Sequence, residues 1–250
     1  MIDIDKLFED YFRKFMAENI GKLSEDEIEN RVPELYDAFG NEPNDSLGGK
    51  SPKDFFLAYT DEELIETLKE SVKNGIEISS FLCDEIEKRS GMIDRLCSLV
   101  SAEVDDELAT YAVNMLSGKK LDKKNLERFV DVMADDNAGE SLSEALTEVL
   151  RDNGDEVKEK IIAGYGKNPK RKANFLEIMS RTSPDDRIFE ILCDELERDD
   201  KNIALNAAYV ARYGDERALP ILDKMIKSGK VSKYDLKELK NAYEELGGEL

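Results

Sequence analysis

Two short runs of this sequence hold residue types whose spacing could serve a site. Gly166-Lys167-Asn168-Pro169-Lys170-Arg171-Lys172 is a basic island in an acidic chain. Lys167, Lys170, Arg171 and Lys172 would grip an acidic partner or a phosphate. Basic residues at a helix start oppose its dipole, at about a few tenths of a kcal/mol each. A solvated inter-helix turn, with Pro169 and the lysines simply exposed, is the simpler reading, and that conflict is the one physical reason to keep the site. The second run, Asp135-Asp136-Asn137 with Glu140 and Glu144, offers oxygen ligands for calcium or magnesium. Its spacing departs from the helix-loop-helix calcium loop, and Gly139 falls in the wrong place, so a solvated acidic turn is the simpler reading.

Other chemistries are poorly provided for. The chain has no histidine, which removes the commonest general base and metal ligand, with every Ser-His-Asp or Cys-His arrangement. Cys83, Cys97 and Cys193 form no close pair and lie among apolar residues, which suits buried thiols in a reducing compartment and leaves zinc without a ligand set. Gly49-Lys50-Ser51 resembles the end of a phosphate loop. Asn44 stands where its first glycine should be, and no strand precedes it; Ser51-Pro52 instead suits a helix cap followed by proline at the first helical position. Paired carboxylates for glycoside cleavage would need two of many acids singled out, and nothing singles them out. No catalytic residue, cofactor or metal ligand is assigned.

Composition narrows the partners. Lys and Arg number 36 against 57 Asp and Glu, a formal charge of −21. Such a surface repels phosphate backbones and anionic headgroups, so neither nucleic acid nor a membrane is expected as a partner. No stretch approaches the roughly 20 apolar residues of a membrane span. The start, MIDIDKLFEDYF, lacks the basic and apolar regions of a signal peptide, and a cytoplasmic location is the expectation. Scarce glycine and proline (15 and 6) favour helices.

Helical periodicity runs throughout. Residues 3–20 place Ile4, Leu7, Phe8, Tyr11, Phe12 and Phe15 on one face, for core packing or as an aromatic docking stripe. Ser24 to Glu27 and Thr60 to Glu63 are capping boxes, with Pro33 expected to kink or interrupt the helix that the first one opens. Between them lies the longest loop, Asn41 to Lys50, a possible contact point. Helices are expected over 76–88 and 92–100. Leu108, Tyr111, Ala112, Met115 and Leu116 define one later stripe, and Leu126, Phe129, Val130 and Met133 the next.

The clearest unit is Ile203 to Ser228. Ala204, Ala207, Ala208 and Ala211 share one helical face, Gly214 closes that helix, Asp215 caps the next, and Ala218, Ile221, Leu222 and Met225 line the second, with Pro220 near its start. The two would form an antiparallel hairpin that needs neighbours on both sides. The run Ala207-Ala208 … Gly214-Asp215-Glu216-Arg217-Ala218-Leu219-Pro220-Ile221-Leu222 resembles the HEAT-like repeat. That resemblance implies an all-α, right-handed α-α superhelix of helical hairpins in the armadillo-like class, usually a protein-binding scaffold. Some members bind nucleic acid and a few act on tetrapyrroles, and the motif itself carries no catalytic residue.

Internal comparison extends the pattern. Asn174–Leu196 overlays Ala204–Ile226 at an offset of 30, pairing Asp185-Asp186-Arg187 with Asp215-Glu216-Arg217. The same segment overlays Arg128–Leu150 at 46, and a helix inserted over 155–165 is the simplest account of the difference. A repeat near 30 residues marks a solenoid, and the capped terminal segment Ser232 to Leu246 would close it. Residues 1–100 fit the repeats poorly and are expected as a less regular helical region, with 101–250 the repeat region. The expected function is non-enzymatic: an acidic scaffold whose concave face, lined by second helices, binds a basic protein. The alternative is an enzyme or small-molecule binder with a pocket between the N-terminal region and the repeats.

Overall fold

A computed structural model describes residues 2–249, and among these the chain is helical with no strand. Two compact units divide it, one ending at Leu99 and the other beginning at Val100.

The first unit contains α1 (Ile4–Asn19), α2 (Glu25–Glu29), α3 (Val32–Asn41), α4 (Pro52–Phe55), α5 (Asp61–Lys73), α6 (Ser80–Lys88) and α7 (Met92–Leu99). Both capping boxes form, with Ser24 and Thr60 exchanging bonds with Glu27 and Glu63. Pro33 does not kink a continuing helix. Helix α2 ends at Glu29, Asn30 and Arg31 form a turn that keeps right-handed backbone angles, and α3 begins at Val32, so Pro33 falls in the first turn of α3, where its missing N–H costs nothing. The helix expected from Ile76 starts four residues later, because Gly75 turns left-handed (φ 62°) and Ser79 caps Phe81 N–H. The long loop is organised by a bridge between Asn44 and Lys50 and by a single 3-10 turn, Asp45–Leu47. Arg89 fastens α6 to the start of α5, donating to Glu85 (2.8 Å), Asp61 (3.0 Å) and the Tyr59 carbonyl (2.7 Å).

The second unit contains α8 (Asp106–Leu116), α9 (Lys123–Ala134), α10 (Glu140–Asn153), α11 (Lys158–Gly164), α12 (Lys172–Met179), α13 (Asp186–Arg198), α14 (Ile203–Tyr213), α15 (Leu219–Lys227) and α16 (Lys233–Glu245). Their packing alternates. Helices α8, α10, α12, α14 and α16 form one series in which each packs on the next. Each odd-numbered helix from α9 to α15 packs on the even-numbered helix that follows it. Leu126, Phe129, Val130 and Met133 of α9, with Phe175, Ile178 and Met179 of α12, are wholly buried. Burial on this scale supplies the main driving force, about 2 kcal/mol or more per large side chain.

Three expectations change. Helix α11 is not an insertion: it packs on α9 and α12, so the alternation runs through it. It is also shorter than 155–165, because Gly154–Val157 forms a 3-10 turn before it. The buried face of α14 is Ile203, Asn206, Ala207, Val210 and Ala211, whereas Ala208 is exposed; the larger Ile203 and Val210 remove more apolar area from water and set the rotation. Finally, α14 packs most closely on α16 and α13 rather than on α15.

Candidate functional site

The basic island sits at the turn into α12. Asn168 is buried, its Oδ1 accepts Lys170 N–H (3.0 Å), and a 3-10 turn over Pro169–Arg171 follows. The four basic residues then separate. Arg171 turns inward, donating to the carbonyls of Ala138 and Gly139, the latter at 3.2 Å. Lys172 pairs with the Glu195 carboxylate, which is mostly buried and also accepts the Tyr165 hydroxyl at 2.5 Å. Burial and that carboxylate push the Tyr165 hydroxyl well above the usual phenol range. Lys167 and Lys170 remain exposed, and among the described residues neither has an ion-pair partner. Two of the four cations therefore tie α12 to α13 and to the turn before α10, leaving two for solvent.

Beside Lys170 and Lys172 lies a groove of about 240 Å³ between α12 and α14, lined by Leu176, Asn202, Leu205, Asn206 and Tyr209. Leu205 is 43% exposed within it, and Asn206 is buried with its amide donating to the Glu195 carbonyl at 3.2 Å. The groove thus has an apolar side chain at its lip, amides on its wall and lysines at one end.

The odd-numbered helices are laced by charge rather than by apolar packing alone. Lys160 of α11 meets Asp131 of α9 at 2.6 Å. Arg187 at the start of α13 reaches both oxygens of Glu159 on α11 (2.8 and 2.5 Å) and turns back to Asp185. Thirty residues on, Arg217 bonds Asp215 and Asp186 and lies over the Phe189 ring, 4.3 Å from its centre. Arg187 holds the Asp185 carboxyl down to about 2. These two Asp-x-Arg corners, which align in the sequence, clip the start of α13 to α11 and the turn before α15 to α13.

The other candidate chemistries find little support in geometry. Asp135 uses Oδ1 to accept Asn137 N–H (2.8 Å) and its side-chain amide (3.0 Å), and among the described residues no three acidic or cysteine side chains are placed to hold a metal ion. Burial, reinforced by nearby carboxylates, pushes the Cys83 and Cys193 thiols up to about 11, so neither is a ready thiolate. No helix among the described residues is long and apolar enough to cross a membrane. No family model, curated protein or solved structure matches the chain.

Asp5 is a residue that sequence reasoning missed. Its carboxyl, in the first turn of α1, has one oxygen accepting the Tyr36 hydroxyl at 3.3 Å and the other buried without a hydrogen-bond partner. Burial, then the charge of Glu77, push it up to about 6, against the Tyr36 bond. Only its place next to the apolar Ile4, in the first turn of a helix, marks it in the sequence.

Proposed function

We infer that the second unit is a HEAT-like solenoid that binds another protein without catalysing a reaction. The observation that carries this reading is the continuous series α8, α10, α12, α14, α16, each packed on the next, beside a second series joined largely through long ion-paired side chains. Closer spacing in the first series than in the second bends a stack toward the first. The even-numbered helices would then line the concave face, and they are the second helices of the pairs α9–α10, α11–α12, α13–α14 and α15–α16. The groove at Leu205 opens between two of them. A chain of charge −21 favours a partner that is basic overall, while Lys170 at the edge of the groove would engage an acidic residue on it.

Capture from native extract with the tagged protein tests this. A stoichiometric protein partner is expected at about 50 mM salt and lost near 500 mM, and lost also from Leu205→Glu. An empty capture, or one that Leu205→Glu leaves intact, overturns the reading.

A further inference from the structure

We propose that α1, α2 and the first half of α3 form a second docking surface, which takes a basic amphipathic helix of a partner protein. From Asp5 to Ala38 no residue is fully buried, although the stretch holds Leu7, Phe8, Tyr11, Phe12, Phe15, Met16, Leu23, Ile28, Val32, Leu35 and Tyr36. In the second unit, by contrast, α9 and α10 alone bury a dozen side chains. The difference is one of coverage. Helix α1 uses Phe8 and Tyr11 against Tyr36 and Phe39 of α3, with ring centres 4.8 to 5.6 Å apart. The rings of Phe12 and Phe15 lie further along α1 and stack on each other at 6.5 Å. Ile20, which ends the helix, is 78% exposed. Phe12, Phe15 and Met16, three and four apart and each only partly covered, form a ridge along α1 suited to the groove of another helix.

Charge selects the occupant. Residues 5–38 carry ten acidic and five basic side chains. Arg13 is engaged with Glu9 and Asp10, and Lys22 with the Glu18 carbonyl. Glu25, Asp26 and Glu29 are exposed beside Leu23 and Ile28. A second copy would bring the same acidic rim and another charge of −21 against it, and an anionic bilayer would be repelled in the same way. A helix with an apolar stripe and lysine or arginine on its flanks satisfies both features.

The probe is a synthetic peptide of about 18 residues, some five helical turns, built from leucine and lysine in amphipathic register and labelled for fluorescence anisotropy. Its control is a peptide of identical composition with the leucines scrambled. The amphipathic peptide is expected to bind the full chain at least about tenfold tighter than the scrambled one, with amide protection gained in residues 5–38 by hydrogen exchange. Phe15→Ser with Met16→Ser should weaken it by about tenfold. Ile20→Ser, at a position too exposed to disturb folding, should weaken it by a smaller factor, and Leu205→Ser should not. Equal binding of the two peptides, protection confined to other residues, or unchanged affinity in Ile20→Ser overturns the proposal. So does concentration-dependent dimerisation that protects the same residues, or binding of anionic vesicles through them.

Discussion

At single residues the electrostatics of the fold can be tested most sharply. Asp5 faces Tyr36, Glu77, Asp3 and Glu9, and its carboxyl sits near 6 in the folded chain against about 3.9 unfolded. A raised carboxyl binds its proton more tightly in the folded state. Below pH 4 it is neutral in both states, so its burial carries no charge penalty there. As pH rises through 6 the folded chain must hold a half-buried carboxylate, and stability falls over that window. The place of Asp5 in the first turn of α1 works the other way, since the helix N-terminus favours an anion. Asp5→Asn should therefore stabilise the protein at pH 7.5 by about 1 kcal/mol after solvent screening, and the gain should shrink to about a third of that at pH 4.5. Thermal melts of both proteins at the two pH values read this directly. A variant that is less stable at pH 7.5 would show the carboxylate to be better solvated than its geometry implies. Asp215 gives a simpler case: its carboxylate accepts Arg217 N–H at 3.0 Å and caps the turn into α15. Asp215→Ala should cost about 1 kcal/mol in denaturant unfolding, and Asp215→Asn much less.

Helices and their turns separate what the sequence could show from what it could not. Caps were legible, because Ser24, Thr60 and Ser232 act on backbone only two or three residues away. So was the α9 stripe, where large apolar residues leave one choice of face. The face of α14 was harder: Ala204, Ala207, Ala208 and Ala211 make a regular pattern, but alanine gains little from burial, and Ile203 and Val210 decide the rotation. Neighbour choice was harder still. Periodicity marks a buried stripe without saying which helix covers it, so α11 resembled an insertion until its contacts with α9 and α12 were known. The basic island follows the same logic, since Arg171 and Lys172 find their partners, Ala138 and Glu195, at long sequence range. Close approach at α11 is itself testable. A Cβ on Gly164 would lie 2.9 Å from the ring of Phe175 and 3.4 Å from Val130, and Phe175 is wholly buried and cannot swing away. Gly164→Ala should destabilise the chain by about 1–3 kcal/mol through overpacking, despite alanine's better helix propensity. Recovery in Gly164→Ala with Phe175→Leu, measured by urea unfolding, would place the strain at that contact; a stabilising Gly164→Ala would show the two helices to be further apart.

Over the whole molecule, two electrostatic effects oppose each other, and magnitude decides between them. Residues 1–99 carry 24 acidic and 12 basic side chains, while residues 201–250 carry eight and nine. Self-repulsion within so acidic a chain favours the unfolded state, where charges stand further apart, and salt relieves it. The ion pairs that lace the odd-numbered helices lose strength in salt as well. Most involve an exposed partner: Arg187 and Glu159 are 50% and 78% exposed, Lys224 is 75%, and such pairs contribute between about zero and 1 kcal/mol each. With a net charge of −21, relief of repulsion outweighs the loss. Raising salt from about 10 mM, where the screening length is about 30 Å, to 500 mM, where it is under about 5 Å, should increase stability by roughly 1 kcal/mol and raise the melting temperature by about 2–4 °C. Hydrogen exchange at the two salt levels should place most of that gain in residues 1–99, where acids outnumber bases two to one. A fall in melting temperature would mean instead that the lacing of α9, α11, α13 and α15 holds the second unit together more firmly than exposed pairs normally do, and loss of protection would then appear first at Arg187 and Arg217.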